Sequence, residues 1–338
     1  MRASLIAFSE KGWTLAKMIA ANLPEQSGDT ASVSKGFGAG KEDLHLWTKQ
    51  AFSDSDLLVF VGAAGIAVRA VAPFVYSKLS DPAVVSVDDG ARFSIPLLSG
   101  HIGGANRYAV RIGKITGAVP AVTTATDVHG LFAVDDWAAR HGYFIDTPEN
   151  IKRVSAALLA GERIGVRCEL PVEGKLPAGL VWEKYPPHIR VTLKPVSEPG
   201  TLRIIPPFVV LGIGCRRGTS EDTIERAFIQ FCEENEISPH AFCRVCSIDL
   251  KRKEAGILDF CRAHGLPFTT YCAQELQNVS GKFTGSEFVR RTTGVDNVCE
   301  RSALLGAGKG GERIVKKSVY EGVTLAAAVS EQAVNFEK

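Results

Sequence analysis

An α/β fold of two open, mostly parallel α/β domains joined by a small middle α/β module is predicted by three features of this 338-residue chain. Short apolar runs alternate with segments of helical period in its first and last thirds. Prolines crowd the stretch between them. Glycine-rich turns follow apolar runs at Gly62-Ala63-Ala64-Gly65, Ser99 to Gly104 and Gly212 to Gly214, the punctuation of strand–loop–helix units.

In the first domain, placed at 1–146, Leu5 to Phe8 reads as a strand. Trp13 to Leu23 reads as a helix with Ala16, Ile19, Ala20 and Leu23 on one face. A Gly/Ser-rich patch, Ser34 to Gly40, precedes a helical segment near Glu42 to Phe52. Leu57 to Val61 is a buried strand by its unbroken apolar run, and Gly65 to Val71 a helix stopped by Pro73. Val84 to Val87, Phe93 to Leu98 and Ala121 to Thr124 read as further strands, and Val134 opens a last helix.

The texture changes over 147–206. A helix (Ile151 to Leu159) and a strand (Ile164 to Cys168) lead into a region holding Pro171, Pro177, Pro186, Pro187, Pro195, Pro199, Pro206 and Pro207. Prolines remove ladder donors, so a small module or an extended connection is expected. The second domain, 207–338, opens with the strand Val209 to Ile213. Thr219 or Ser220 then caps a helix that carries Glu221 and Asp222 in its first turn. Phe242 to Ile248, Lys253 to His264, Phe268 to Tyr271, Val298 to Leu305 and Val323 to Val329 continue the alternation.

Composition narrows the function classes. Hydrophobic residues make up 45% and charged ones 22%, with a formal net charge of +2, so no basic surface argues for nucleic acid. No apolar run approaches the roughly 20 residues of a membrane helix, and the opening MRASLIAFSEKGW turns polar too early for a secretory signal. Eight irregularly spaced cysteines suit reduced thiols and a cytoplasmic address.

The richest stretch is Val84 to Ala109, VVSVDDGARFSIPLLSGHIGGANRYA. An apolar strand runs into Ser99-Gly100-His101-Ile102-Gly103-Gly104 and then into a helical pattern. Glycines allow close approach of backbone to a ligand, and free amides at a helix start attract anions. One imidazole and the carboxylates Asp88 and Asp89 lie nearby in sequence. This predicts a place that binds an anion and moves a proton.

The blocks GAAGIAVRAVAP (Gly62 to Pro73), Val84 to Ala109, PAVTTATDVHGLFAVDDWA (Pro120 to Ala138), LGIGCRR (Leu211 to Arg217), SIDLKRKEAG (Ser247 to Gly256) and TGVDNVCERSALL (Thr293 to Leu305) carry a family likeness. In them the chain resembles the cobalt-precorrin-5A hydrolases of anaerobic cobalamin biosynthesis, the CbiG family. The resemblance spans nearly the whole chain and keeps its block order. It implies a reaction in which water opens a δ-lactone on a contracting cobalt corrinoid, and the extruded bridge carbon leaves as acetaldehyde. It also implies that the cobalt travels with the substrate, so that neither a separate cofactor nor a protein-bound metal is expected. The expected partner is thus a small cobalt corrinoid, with no nucleic acid or membrane. A homo-oligomer or transient contact with neighbouring pathway enzymes is compatible with it.

Lactone opening needs a base for water and donors for the tetrahedral oxyanion. His101 is the expected base, since imidazole titrates near neutrality. Asp88 or Asp89 is expected to orient it, and the amides of Gly103 and Gly104 to hold the anion. Ser99, Gly100 and Asn106 are further substrate contacts, or the loop is only a turn packed through its glycines. Asp127, a second catalytic candidate, and His129 follow the expected strand Ala121 to Thr124. Thr123, Thr124 and Thr126 add hydroxyls for substrate carboxylates, although Asp and Thr are also ordinary caps. Gly62 and Gly65, with Arg69, suit an acetate or propionate. They lack the spacing of a dinucleotide fingerprint, and no Walker lysine follows.

In the last domain Gly214, Cys215 and Arg216 repeat the strand–turn–helix logic and could meet carboxylates, and Glu300 either pairs on its helix or faces a cleft. The pair Cys243 and Cys246 has half-site spacing only. On a regular strand such residues face opposite ways, so buried free thiols are the expected state. The substrate is expected between the first and last domains. A non-catalytic corrinoid carrier is the alternative function.

Overall fold

The computed structural model describes residues 1–77, 80–183, 188–195 and 198–337. Pro186 and Pro187 of the proline-rich region lie outside them. The chain forms two compact units, residues 1–140 with 155–162, and residues 141–154 with 163–338.

The first unit contains β1 (Arg2–Ala7), α1 (Glu10–Asn22), β2 (Thr30–Lys35), α2 (Leu44–Asp54), β3 (Leu57–Val61), α3 (Ala64–Val71), β4 (Ala83–Val87), β5 (Phe93–Leu98), α4 (Ala105–Thr116), β6 (Val119–Pro120), α5 (Ala125–Val128) and α6 (Val134–Arg140). Its six-stranded sheet has the order β2-β1-β3-β4-β5-β6. The first four are parallel, β5 runs antiparallel to β4, and β6 follows β5.

Apolar residues on both faces of a strand mean cover on both sides of the sheet. Leu5, Val59 and Val85 pack under Leu15 and Ile19 of α1 and Ala109 and Ile112 of α4. Their neighbours Ile6, Leu58 and Phe60 pack under Ala51 of α2 and Ala67 and Val71 of α3. Each large apolar side chain removed from water in this way contributes about 1.5–3 kcal/mol.

Two expectations change here. β2 starts at Thr30, ahead of the patch that reads as a loop, because exposed alternating residues hide an edge strand from a hydrophobicity reading. The strand expected at Ala121 to Thr124 is instead the two-residue β6, and 121–124 is irregular. The Ala121 amide still donates to the Ser94 carbonyl at 2.9 Å, and the ladder ends there.

In the second unit β7 (Phe144–Ile145) precedes α7 (Ile151–Leu159), a helix divided between the two units. Then come β8 (Ile164–Cys168), β9 (Val172–Glu173), β10 (Leu180–Trp182), β11 (Ile189–Val191) and β12 (Leu202–Ile205). They give a five-stranded sheet, β10-β8-β11-β12-β7. The remaining elements are β13 (Val209–Cys215), α8 (Glu221–Glu234), β14 (Phe242–Ile248), α9 (Ala255–Ala263), β15 (Phe268–Tyr271), α10 (Ala273–Gln277), α11 (Glu287–Thr293), α12 (Cys299–Ala307), β16 (Glu312–Tyr320), β17 (Val323–Val329) and β18 (Val334–Asn335). They build a second five-stranded sheet, β15-β14-β13-β17-β16.

Here α8 and α9 cover one face through Phe228, Phe231 and Phe260, and α12 covers the other through Ala303 and Ala307. A Cβ on Gly212 would stand 1.8 Å from the Cys299 carbonyl oxygen, so only glycine lets α12 lie this close. β18 leaves this sheet to pair with β9.

Candidate active site

The reversal at β4–β5 decides where the predicted site residues fall. Leu98 pairs with Val84 and Ser94 with Val87, so the loop 99–104 comes off β5 at the amino-terminal ends of the parallel strands. β6 is parallel to β5 and delivers 121–126 to the same end. Ligands in open α/β sheets gather beyond strand carboxyl ends; β5 and β6 keep that rule while inverting it for the rest of the sheet.

Within the loop, Ser99 has φ 55° and donates its hydroxyl to the Asp81 carbonyl at 2.8 Å. The amides of Gly104, Ala105 and Asn106 donate back to the carbonyls of His101, Ser99 and Gly100 at 2.9, 3.1 and 3.0 Å. These amides are therefore spent on the loop itself, and Gly104 does not supply the expected anion donor. Gly103 is needed for space, since a Cβ there would lie 2.6 Å from Ser99 Cβ and 3.2 Å from the Ala83 nitrogen. Asn106, buried, donates from Nδ2 to Thr124 Oγ1 at 2.9 Å.

His101 lies in this loop with Nδ1 3.2 Å from a carboxylate oxygen, and the carboxylate is Asp135, not Asp88 or Asp89. Its Nε2 lies 3.3 Å from the Thr126 hydroxyl. Both partners are buried. Burial alone would raise the Asp135 carboxyl. The His101 hydrogen bond and charge, with the Asp136 amide, outweigh it and hold the group below its ordinary range. An ionised carboxylate only accepts, so the Nδ1 facing it carries a proton. α6 is held by Val134, Trp137 and Ala138, all with no exposed surface. In sequence Asp135 is indistinguishable from the acidic first turn of any helix; its position inside the block FAVDDWA is the one signal that pointed to it.

A cleft of about 750 Å³ opens beside this pair. His101, Asn106 and Asp136 line it together with Arg107, Arg111 and Lys114 of α4. These cations stand at helical positions i, i+4 and i+7 and so share one face. Arg107 reaches back over Gly104 and lies 3.8 Å from Asp136, while Arg111 pairs with Glu25. In sequence nothing distinguishes these three from the ordinary charges of a helix surface.

The other expected residues lie elsewhere. Asp88 and Asp89 sit at the far, carboxyl-terminal end of the parallel strands. Asp88 Oδ1 accepts from the amides of Arg92 and Phe93 at 2.9 and 2.7 Å, and Asp89 accepts from the Ser9 hydroxyl. Gly62 and Gly65 begin α3 at that same end, where a Cβ on Gly62 would strike the Phe8 ring at 2.8 Å. Arg69 is exposed along α3. Thr123 and His129 are exposed, and the Asp127 side chain lies outside the described residues.

In the second unit Gly214 and Cys215 end β13, and Arg216 follows it. Burial raises the Cys215 thiol, with only partial relief from Lys251, so it is no ready thiolate. Glu300 has no exposed surface. It pairs with Arg313 and accepts from Asn297 at 2.8 Å and from the Thr284 amide at 3.2 Å, a satisfied structural carboxylate rather than a substrate contact. Cys243 and Cys246 correct the opposite-face argument. A bulge between the Phe242 and Arg244 pairings sends both against the same cluster under α12.

The fold and cleft thus define an α/β protein with an imidazole–carboxylate pair beside a row of cations. Models of the cobalamin synthesis G N-terminal region, the cobalamin biosynthesis central region and the cobalamin synthesis G C-terminus match residues 46–127, 132–201 and 209–328. The chain belongs to this cobalamin-synthesis family, CbiG. It is 32% identical over 322 residues to the cobalt-precorrin-5A hydrolase of Salmonella typhimurium, covering 89% of this chain and 91% of that one. It is also 32% identical over 282 residues to the cobalt-precorrin-5A hydrolase of Priestia megaterium, with 77% and 75% covered. No helix among the described residues is long and apolar enough to cross a membrane.

Proposed function

We propose that this chain hydrolyses the δ-lactone of cobalt-precorrin-5A, releasing acetaldehyde and giving cobalt-precorrin-5B, in anaerobic cobalamin biosynthesis. One observation carries the site assignment: His101 lies on the wall of a cleft whose α4 side presents Arg107, Arg111 and Lys114. The substrate is an acid many times over, and a row of cations suits its acetate and propionate groups.

In this reading His101 is the base that activates a water to attack the lactone carbonyl. The acyl carbon–oxygen bond then breaks, the proton goes to the departing oxygen, and the ring acetate is freed as a carboxylic acid. Arg107, which reaches back over Gly104, is assigned to the tetrahedral oxyanion, a role the Gly104 amide does not take. Cobalt enters and leaves with the corrinoid. The reaction takes place in the cytoplasm.

The test supplies the lactone intermediate without oxygen and measures acetaldehyde. Wild-type protein should release it stoichiometrically with lactone opening, and His101→Ala should lose at least about 100-fold in rate. Unchanged turnover in His101→Ala removes the imidazole from the mechanism; binding without turnover in the wild type removes the hydrolase reading.

A further inference from the structure

Both nitrogens of His101 are already engaged, which constrains how it can exchange a proton with anything in the cleft. Nδ1 faces the Asp135 carboxylate at 3.2 Å, and Nε2 faces Thr126 Oγ1 at 3.3 Å. Since Nδ1 carries the proton, Nε2 of the neutral ring has only a lone pair, and the Thr126 hydroxyl is its donor. A hydroxyl differs from the Asp135 carboxylate in being donor and acceptor at once. It can hand its own proton to Nε2 while accepting another, and neither hydrogen bond to the ring need break.

We propose that Thr126 is the proton relay of His101 and that Asp135 is its positioning carboxylate. The proposal rests on the lactone-opening reading above. The water that attacks the lactone carbonyl gives its proton to Thr126 Oγ1, as Thr126 passes its hydroxyl proton to Nε2. The imidazolium so formed is stabilised by Asp135, which stays ionised throughout. On collapse the Nε2 proton returns to Thr126, whose other proton goes to the lactone oxygen as the acyl carbon–oxygen bond breaks. One water is consumed, one carboxylic acid and one hydroxyl are formed, and the three side chains end as they began.

The arrangement is built rather than incidental. His101 and Asp135 have side chains 14% and 10% exposed, Thr126 is 4% exposed, and they come from three separate segments: the β5–α4 loop, α5 and α6. Arg107 and Arg140 bind Asp136, and among the described residues no arginine pairs with Asp135.

The decisive variants are Thr126→Val, which keeps the branched shape without the hydroxyl, and Thr126→Ser, which keeps the hydroxyl. Thr126→Val should lower kcat about 100-fold with KM changed less than about threefold, and Thr126→Ser should stay within about fivefold of wild type. Nitrogen-15 spectra of the His101 ring give a readout independent of turnover. The wild type should show the Nδ1–H tautomer, and Asp135→Asn should lose that preference while Asp135→Glu restores it.

Full activity in Thr126→Val, with His101→Ala inactive, overturns the relay and spares the hydrolase reading. Full activity in His101→Ala overturns the reading itself. A wild-type ring protonated on Nε2 overturns the part assigned to Asp135, whatever the rates show. Should Thr126→Val fail to fold, the serine variant and the wild-type spectrum still decide: an inactive, folded Thr126→Ser contradicts the relay.

Discussion

Asp88 and His101 stand at opposite ends of β5, separated by its six residues, or about 20 Å at roughly 3.3 Å per residue. Asp88 closes the β4–β5 turn and His101 begins the loop beyond the strand. Removing the Asp88 carboxylate should therefore loosen a turn and leave the reacting end alone. Asp88→Ala is expected to cost about 1–3 kcal/mol, the worth of hydrogen bonds from two amides to a charged acceptor. Its kcat for lactone opening should stay within about twofold of wild type. A hundredfold loss of kcat in a protein of unchanged stability would return Asp88 to the chemistry.

Arg107 is expected to act on binding and on the oxyanion together. Replacing it with alanine removes a charged donor worth about 1.5–3 kcal/mol, or about 10- to 100-fold in kcat/KM. Lys114→Ala, at the exposed end of the row, should cost only a few-fold in KM, and its effect should fade with added salt. Steady-state kinetics at two ionic strengths separate the two. Equal, salt-independent losses would argue against a row of carboxylate anchors.

Burial pushes the thiols of Cys232, Cys246, Cys261 and Cys299 up to about 12, and the phenols of Tyr143, Tyr271 and Tyr320 likewise. All seven belong to the second unit. A thiol that ionises near 9 when unfolded and near 12 when folded binds more protons in the native state between those values. Its stabilising contribution is complete below pH 9 and is lost as pH rises towards 12. The second unit should therefore be the first to unfold in alkali. At neutral pH a thiol reagent should reach the exposed Cys272 well before any of the buried four. Monitoring modification residue by residue across this range checks both statements.

Glu300→Ala should fail as a structural change. It leaves Arg313 and Asn297 without the carboxylate they share, and breaking a buried ion pair costs about 3–5 kcal/mol. Denaturant midpoints should drop sharply while KM for the corrinoid stays near wild type in the protein that remains folded. A rise in KM at unchanged stability would reverse that reading.

The central strands Leu57–Val61, Phe242–Ile248 and Val323–Val329 were legible because cover on both faces leaves a mostly apolar run, and the edge strand Phe268–Tyr271 also falls where the pattern places it. β2 and β16 were not, since edge strands expose alternate residues and look like loops. The loop around His101 was found from its glycines and imidazole. Its carboxylate was not, because nearness in sequence favoured Asp88 and Asp89, and only the antiparallel turn of β5 carries His101 away from them. Asp135 comes from an element 34 residues on, brought in by tertiary packing that no local pattern encodes. Glu300 illustrates the converse, since a charged residue in a family-like block can be entirely interior when its partners lie at Asn297 and Arg313.

β18 completes a ladder whose other strand, β9, lies far back along the chain; the Lys175 amide and the Glu337 carboxylate that bracket the pairing are 162 residues apart. During synthesis, β9 must wait at the ribosome exit for a partner that emerges many seconds later at about 5–20 residues per second. The sheet of the first unit draws its strands from residues 2–120 alone and has no such delay. The nascent protein should therefore order its amino-terminal sheet early and hold an open seam in the remainder until the tail arrives.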